Sequence, residues 1–316
     1  MGGDRAPGEI VAGAALAVRN GLDVVLVGDK ARLDPLIEDS GVSIPVVHAE
    51  STIDMHEDPA QAIRSKRDSS IAVAARLVAE GEAQGLVSAG STGAVLAAAA
   101  FIIGRLPGVA RPAIGSVYPT GQIVLDSGAN LECRPEHLVQ FAAMGAALAR
   151  VYMGLESPRV GLLNIGEEVG KGRELEKQAY AVLEDSPLNF IGNVEGRDLG
   201  RDTVDVVVTD GFTGNVLLKG AEGTASMLMQ MMRSLLAERP ELGDATAAIA
   251  PAFEELQRRI DPETYGGAHL VGTGGVVVVA HGSSSRTAIA NALRMAAEGG
   301  DHGLIDAVTF GIEALA

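Results

Sequence analysis

Short glycine-containing loops follow apolar segments of this sequence, and several carry a polar side chain that can bind an anion. One loop spans residues 210–215 and includes Gly214 and Asn215, just ahead of a helical pattern that we expect to start at Val216. Lys171 lies between two glycines in a second loop. A helix start offers free backbone N–H groups and a lysine offers a positive charge. Both loops therefore favour an anionic ligand.

Two further kinds of residue at the ends of apolar runs could take part in chemistry. Gly90, Ser91 and Thr92 form another strand-to-helix turn, in which a hydroxyl and backbone N–H groups could contact an anion. His48 and His281 each follow an apolar run, and an imidazole can accept or donate a proton near neutral pH. A structural role for either histidine stays open from the sequence.

A local basic cluster stands out against the acidic composition of the whole chain. The chain has 25 Lys and Arg residues against 41 Asp and Glu residues, for a net charge of −16. This charge argues against a general nucleic-acid binder, which needs a basic surface. Arg64, Lys66 and Arg67 lie close together in sequence. They indicate either a solvated turn or contact with an anionic partner.

The alternation of apolar runs and amphipathic segments predicts an α/β fold with a largely parallel sheet. A chain of 316 residues with 47% hydrophobic residues can bury a large core, so we expect one unit over residues 1–316, with two intimately joined lobes possible. Ala113–Tyr118 and Gln122–Leu125 are predicted to pair as neighbouring strands. We expect no dinucleotide fingerprint cofactor, because neither a Walker loop nor a GxGxxG motif is present.

Cysteine content and hydropathy limit the classes of protein to which the chain can belong. The single cysteine, Cys133, excludes an intrachain disulfide and a cysteine-cluster metal site, and it fits a reducing cytoplasm. No His/Cys/Glu spacing indicates a bound metal. No uninterrupted apolar stretch reaches about 18 residues, so no membrane-spanning helix is expected.

Residues 226–260 have two apolar stripes at helical spacing. The first stripe contains Leu228, Met231, Met232 and Leu235, and a break with Pro240 and Gly243 separates it from a second stripe that includes Ile249, Phe253 and Leu256. The pattern predicts a helical hairpin that projects from the domain. Its apolar faces fit burial in a dimer interface, or a shallow contact of the hairpin tip with a membrane surface.

Nine motifs, in register over essentially the whole chain, resemble those of the PlsX family, the acyl-acyl-carrier-protein:phosphate acyltransferases of bacterial phospholipid synthesis. The resemblance implies an α/β/α fold like that of isocitrate and isopropylmalate dehydrogenases and of phosphotransacetylase, and a homodimer. The implied reaction moves a long acyl chain from acyl carrier protein to inorganic phosphate. The motifs are MGGDRAP (1–7), HAE (48–50), SAGSTGA (88–94), DSGAN (126–130), LLNIGEEVGKG (162–172), GNVEGRD (192–198), VVTDGFTGN (207–215), YGGAHLVG (265–272) and HGSS (281–284).

The implied reaction suggests roles for the residues above. A thioester is already activated and phosphate is the nucleophile, so the enzyme must hold two reactants and stabilise an oxyanion. Lys171 would hold phosphate or offset developing charge, and Asn215 would donate a hydrogen bond to phosphate or the carbonyl oxygen. His48 would transfer a proton.

Further residues would bind the substrates. The loop of Gly90, Ser91 and Thr92, together with Gly214 and His281, would contact phosphate. Arg64 and Lys66 belong to the patch expected to dock the acidic carrier protein. The labile product implies a peripheral contact with the membrane, where a glycerol-3-phosphate acyltransferase would take it up.

Two departures from the family pattern and three alternative functions remain. The family usually has a short strand ahead of MGGD, so either the start at Met1 is internal or the sheet lacks a strand. Ser91 replaces the usual Asn. The alternatives are a phosphotransacetylase-like enzyme that uses coenzyme A, a non-catalytic scaffold for lipid synthesis, and a metal-dependent dehydrogenase of the same fold. The dehydrogenase would need clustered aspartates, and Asp205 and Asp210 are the one close pair in a suitable place.

Overall fold

The computed structural model describes residues 1–315, apart from the side chains of Pro240 and Pro262. Its two sheets have different sizes, and a cavity of about 910 Å³ lies between the small sheet and the first strand of the large one. The strands are β1 (Leu26–Gly28), β2 (Val46–His48), β3 (Gly85–Ser88), β4 (Ala113–Val117), β5 (Ile123–Leu125), β6 (Val160–Leu163), β7 (Phe190–Val194), β8 (Val206–Val208), β9 (Ala268–Val271) and β10 (Val276–Val279).

Helices cover both faces of the large sheet. They are α1 (Gly8–Arg19), α2 (Lys30–Ser40), α3 (Pro59–Ser65), α4 (Ser70–Ala79), α5 (Thr92–Ala98), α6 (Pro135–Met153), α7 (Glu174–Glu184), α8 (Gly211–Ala237), α9 (Gly243–Ile260), α10 (Arg286–Asp301) and α11 (Leu304–Glu313). No helix among residues 1–315 is long and apolar enough to cross a membrane.

The large sheet consists of two blocks of parallel strands that run in opposite directions. Its order is β3-β10-β9-β4-β5-β8-β6-β7, and β1 pairs in parallel with β2 in the small sheet. β3 and β10 are parallel to each other, and β5, β8, β6 and β7 are parallel to one another. The antiparallel pairs β10–β9, β9–β4 and β4–β5 reverse the direction between the blocks. The carboxyl ends of the two blocks therefore lie at opposite edges of the sheet.

Two apolar cores hold the three layers together. One core packs α6 and α11 onto the sheet and contains Phe141, Leu148 and Val206, all at most 2% exposed. The other packs α4 and α5 onto the opposite face, around Val95 and Val277. The core is made almost entirely of aliphatic side chains, as the low aromatic content of 3% requires. The α/β fold class is thus confirmed, as is the pairing of β4 with β5.

One local prediction was wrong, and one strand was missed. Helix α8 begins at Gly211 and not at Val216, because the Asp210 carboxylate caps the helix by accepting a hydrogen bond from the Thr213 N–H at 2.8 Å. Ser285 caps α10 by accepting a hydrogen bond from the Ala288 N–H. The segment that forms β9 was not recognised as a strand, because its four residues follow two glycines and lack a longer apolar run.

Candidate active site

Three loops meet at the carboxyl ends of β5, β8 and β6, and we call residues 126–130, 164–173 and 210–215 the Asn215 loop group. Asp126 is fully buried at its centre and accepts hydrogen bonds from the backbone N–H groups of Ile114 and Asn130, at 3.0 and 2.7 Å. The N–H groups of Gly128 and Ala129 also donate to it. Burial raises the pKa of Asp126, and these donors oppose that shift. The carboxylate therefore fixes the shape of the first loop.

Glycines allow the start of α8 to lie directly against this loop. A Cβ atom at Gly214 would overlap the Asp126 carbonyl oxygen, and one at Gly211 would lie 2.7 Å from the Asn130 carbonyl oxygen. The Gly211 N–H donates to that same oxygen at 2.8 Å. Asn130 and Asp210 already accept hydrogen bonds from the Gly211 and Thr213 N–H groups, so these two N–H groups of the helix start are not free to bind an anion.

Asn215 lies one turn into α8, where its side chain reaches the first loop. Its amide nitrogen donates to the Ser127 carbonyl oxygen at 3.2 Å, and it lies close to Gly128. A side-chain amide has two N–H groups and a carbonyl oxygen. Asn215 therefore retains capacity to bond a ligand while one contact fixes its position.

Lys171 belongs to the loop after β6 and is loosely held. Its backbone N–H donates to the Glu168 carbonyl oxygen at 3.2 Å, and its ammonium lies 3.8 Å from the Glu168 carboxylate. The lysine side chain is 49% exposed. An exposed pair at this distance contributes little stability, so the ammonium is free to approach an anion. Asn164 supports the loop by donating to the Lys171 carbonyl oxygen at 3.0 Å.

Arg173 joins the Lys171 loop to the start of α8, and the sequence analysis missed it. Its guanidinium lies 2.5 Å from the Asp210 carboxylate and also pairs with Glu176. Burial would raise the pKa of Asp210, but hydrogen bonds from Arg173 and Thr213 hold it below its usual value. The guanidinium, neutralised by these two carboxylates, therefore holds the Lys171 loop against the start of α8. The only sequence signal was its place directly after Gly172.

A second cluster of loops lies at the opposite edge of the sheet, and we call residues 1–4, 88–92 and 281–284 the His281 loop group. The Asp4 N–H donates to the Gly282 carbonyl oxygen at 2.8 Å, and Gly2 packs against Gly90. His281 is exposed, and its Nδ1 atom lies 2.7 Å from the Ser283 hydroxyl. The contacts that join different loops of this group, Asp4 to Gly282 and Gly2 to Gly90, are between backbones.

Ser91 and Thr92 begin helix α5 within the His281 loop group. The Ser91 hydroxyl oxygen accepts a hydrogen bond from the Ala94 N–H at 3.4 Å, so Ser91 is the helix cap. Its side chain is buried, while Thr92 is exposed. The serine that replaces the usual family asparagine is thus able to cap a helix, in a position where serine is favoured.

Helix α8 connects the two loop groups. It starts in the Asn215 loop group, and three turns later Glu222 lies near enough to His281 for their charges to interact. Burial raises the pKa of Glu222, and the positive charges of Lys219 and His281 oppose the shift. Most of the residues predicted from sequence therefore lie in two groups, and α8 runs from one group towards the other.

The other predicted residues lie outside both groups. His48 is exposed in the small sheet, where its Nδ1 atom accepts a hydrogen bond from the Lys30 N–H at 3.3 Å. Lys66 pairs with Glu57 at 2.7 Å. The Arg64 guanidinium stacks over Phe101, 4.9 Å from the ring centroid.

The aspartates considered for a metal-dependent dehydrogenase are not brought together. Asp205 precedes β8 and pairs with Arg159 at 2.8 Å, whereas Asp210 follows β8 and pairs with Arg173. Among residues 1–315 no cluster of three or more His, Cys, Asp or Glu side chains could hold a metal ion. The aspartate pair is therefore wrong as a cation site. Cys133 is a poor nucleophile, because burial and the charges of Asp126 and Asp210 raise its pKa to about 11.

Comparison with known proteins places the chain in a family. Residues 1–306 match the family described as "Fatty acid synthesis protein". The chain is similar to the "Phosphate acyltransferase" of Desulforamulus reducens, with 46% identity over 99% of this chain and 96% of that protein. It is 48% identical to the "Phosphate acyltransferase" of Heliobacterium modesticaldum, over 98% and 94% of the two chains. The chain belongs to this family, so the PlsX resemblance and the prediction of an acyltransferase enzyme are confirmed.

Solved structures share the fold at low sequence identity. A phosphotransacetylase from Streptococcus pyogenes superposes with a TM-score of 0.59 and 16% identity, covering 93% of this chain and 92% of that one. A putative 4-hydroxythreonine-4-phosphate dehydrogenase from Salmonella typhimurium gives a TM-score of 0.54 and 14% identity, over 92% and 94%. The predicted likeness to phosphotransacetylases and to dehydrogenases of this fold is confirmed.

Proposed function

We propose that this protein transfers a long-chain acyl group from acyl carrier protein to inorganic phosphate for phospholipid synthesis. A phosphate oxygen attacks the thioester carbonyl carbon and forms a tetrahedral oxyanion. The carbon–sulfur bond then breaks, and the carrier thiolate leaves and takes up a proton. The observation that carries the proposal is the near-complete match to relatives named phosphate acyltransferase. The acyl donor is our inference from the motifs.

We assign binding of phosphate and the oxyanion to the Asn215 loop group. Lys171 brings a loosely paired cation there, Arg173 ties the Lys171 loop to the start of α8 through Asp210, and Asn215 offers an amide N–H whose position is fixed by Ser127. Fixed donors aimed at developing negative charge are a major source of catalysis. The roles first considered for Gly90, Ser91, Thr92 and His281 become secondary, because these residues lie at the other sheet edge. His48 stays a weaker candidate for proton transfer.

The test is direct detection of the product. Purified protein is incubated with palmitoyl-acyl carrier protein and ³²P-labelled phosphate, and labelled acyl phosphate is measured. Palmitoyl-coenzyme A is the parallel donor. Turnover with the carrier-protein donor alone supports the proposal, and turnover with coenzyme A alone favours a phosphotransacetylase-like enzyme. No turnover with either, in protein that is folded, would favour the scaffold.

The acidic carrier protein would dock on the basic surface of α3 and the turn after it. Arg64 and Arg67 are exposed, whereas Lys66 is already neutralised by Glu57. Salt screens such contacts, so the Michaelis constant for the carrier substrate should rise with ionic strength. Arg67→Glu should raise it further, and Arg32→Glu at an exposed position of α2 is the control for the same change of charge. An unchanged constant in Arg67→Glu would move the docking site elsewhere.

The exposed apolar surface of α8 and α9 supports a homodimer with a peripheral membrane contact. Leu228, Met231 and Leu235 are each at least half exposed, and Ile249 and Leu256 on α9 are more than 40% exposed. Large exposed apolar patches mark protein or membrane contacts. A membrane contact would deliver the labile product to a glycerol-3-phosphate acyltransferase, so we propose a cytoplasmic protein at the membrane surface.

Two measurements separate these roles of the hairpin. Light scattering gives the oligomeric state, and co-sedimentation compares phosphatidylglycerol with phosphatidylcholine vesicles. Leu228→Gln together with Leu235→Gln should weaken binding to the anionic vesicles, and Gln230→Ala on the same helix is the control. A dimeric double variant that still binds these vesicles fully would limit the apolar face to dimerisation.

A further inference from the structure

The loop that carries Lys171 contains a tight turn, and the glycines on either side of the lysine have different structural reasons. The Lys171 N–H donates to the Glu168 carbonyl oxygen at 3.2 Å, which closes a four-residue turn over residues 168–171. Gly170 is the third residue of this turn and has a φ of 88°, which favours glycine. Gly172 follows the turn, and a Cβ atom there would lie 2.7 Å from the Asn164 amide oxygen. The second glycine therefore leaves room for the Asn164 side chain.

Two side-chain amides from neighbouring strands hold this turn at both ends. Asn164 directly follows β6, and its amide nitrogen donates to the Lys171 carbonyl oxygen and to the Asn193 side-chain oxygen, both at 3.0 Å. Asn193 lies in β7, and its own amide nitrogen donates to the Glu168 carbonyl oxygen at 3.0 Å. Because β6 and β7 pair in parallel, the sheet fixes the two amides relative to each other.

The hydrogen-bonding capacity of these amides is spent on the loop and on each other. A side-chain amide has two N–H groups, and Asn164 uses them for Lys171 and Asn193. The Asn164 oxygen accepts from the Ile165 N–H at 2.8 Å, and Asn193 is only 7% exposed. The Lys171 side chain, in contrast, is 49% exposed. The backbone of the turn is thus held firmly while the ammonium stays open to an anion.

We propose that Asn164 and Asn193 are positioning residues that hold Lys171 in place at the phosphate site. This inference rests on the proposed function, in which Lys171 binds phosphate or the oxyanion. Asn193 acts through the turn, because its two hydrogen bonds go to Asn164 and to the Glu168 backbone. A misplacement of about 1 Å in a catalytic group can cost on the order of a hundredfold in rate. Loss of either amide should therefore slow the reaction.

A double-mutant cycle tests whether Asn193 acts through Lys171. Asn193→Ala should lower kcat for acyl phosphate about tenfold in the wild-type background, and less than about twofold when Lys171→Ala is already present, since no ammonium is left to misplace. Equal losses in the two backgrounds would overturn the proposal, because a merely structural role lowers kcat in both.

The matched control is Asn189→Ala, directly before the same strand. Its amide donates to the Ser157 carbonyl oxygen at 3.0 Å and not to the loop, so kcat should stay within about twofold of wild type. Asn164→Ala, at the half-buried end of β6, should give the same pattern as Asn193→Ala and replaces that variant if it does not fold.

A second measurement does not depend on activity. Trypsin cleaves after Lys171 when the loop leaves its turn, and mass spectrometry measures the rate of this cleavage in the folded protein. The rate should rise about tenfold in Asn193→Ala and stay at the wild-type value in Asn189→Ala. An unchanged rate in Asn193→Ala would overturn the proposal even if kcat falls. Faster cleavage in a protein whose wild type forms no acyl phosphate would support the hold on the turn and contradict the proposed function alone.

Discussion

The Asn215 and His281 loop groups are built from similar glycine-rich sequences but differ in how they are held. In the Asn215 loop group a buried carboxylate and glycine contacts lock the loops, and Arg173 ties two of them together. In the His281 loop group the Asp4–Gly282 and Gly2–Gly90 contacts between loops are between backbones, and His281 is exposed. A site that must hold fixed donors against an oxyanion needs the first arrangement. The glycine motif alone did not distinguish the two.

The sharpest test of this difference compares one glycine from each group. Gly214→Ala should lower the free energy of unfolding by about 3 kcal/mol or more, because the new Cβ overlaps the Asp126 carbonyl oxygen. Gly90→Ala should cost less than about 1 kcal/mol, since its Cβ would meet two side-chain ends, Ile71 Cδ1 at 3.2 Å and Ser88 Oγ at 3.3 Å, and would lie at an ordinary contact distance of 3.6 Å from the Gly2 Cα. Urea denaturation of both variants measures the two values. Similar losses of unfolding free energy in the two variants would show that the two loop groups do not differ in packing.

Protein stability should fall at acid pH because of a buried histidine in β9, the strand between the two loop groups. His269 lies in β9, between the oppositely directed blocks, and burial lowers its pKa from 6.5 to about 3. The unfolded chain therefore takes up a proton below pH 6.5 that the folded protein excludes, so stability falls as the pH falls. At 1.36 kcal/mol per pKa unit, the loss between pH 6.5 and 4 is about 3 kcal/mol. His269→Leu should lose this much less stability over that range in urea titrations. An identical pH dependence would show that His269 is protonated when folded.

Removal of the Lys171 side chain should lower activity much more than removal of the His281 side chain. Lys171→Ala should lower kcat about a hundredfold, the usual cost of one donor to an oxyanion. His281→Ala should have a much smaller effect, and Lys177→Ala on the exposed side of α7 is the control for loss of a lysine. The assay is formation of acyl phosphate by folded variants. A larger loss in His281→Ala than in Lys171→Ala would reverse our assignment.

The smallest expected difference is between two substitutions of one residue. Asn215→Ala removes the amide donor, and Asn215→Asp places a carboxylate where phosphate should bind. We expect the Asp variant to be at least as slow as the Ala variant, with a higher Michaelis constant for phosphate because like charges repel. Measurement of kcat and this constant for both variants decides the matter. Greater activity in the Asp variant would exclude an anion beside Asn215.

The sequence by itself determined the family, the fold class and most helix and strand positions. Apolar runs and apolar stripes at helical spacing indicate directly which residues are buried. Nine motifs in order identify the PlsX family. The sequence also pointed to Lys171 and Asn215, because glycine neighbours and strand ends are local features. The reversal of strand direction was less visible, although the β4–β5 hairpin signalled one antiparallel pair.

Only the tertiary structure decided which of these residues share a neighbourhood. Arg173 contacts Asp210 across 37 residues of sequence, and Asp126 is held by the Ile114 N–H from a neighbouring strand. Asp210 likewise accepts hydrogen bonds from the Thr213 and Gly214 N–H groups at the start of α8. The surroundings of the His269 ring are likewise formed by side chains from the distant helices α6 and α10. These features depend on contacts between segments that are distant in sequence. The hydropathy pattern of a segment indicates which of its own residues are buried, but not which other segments they contact.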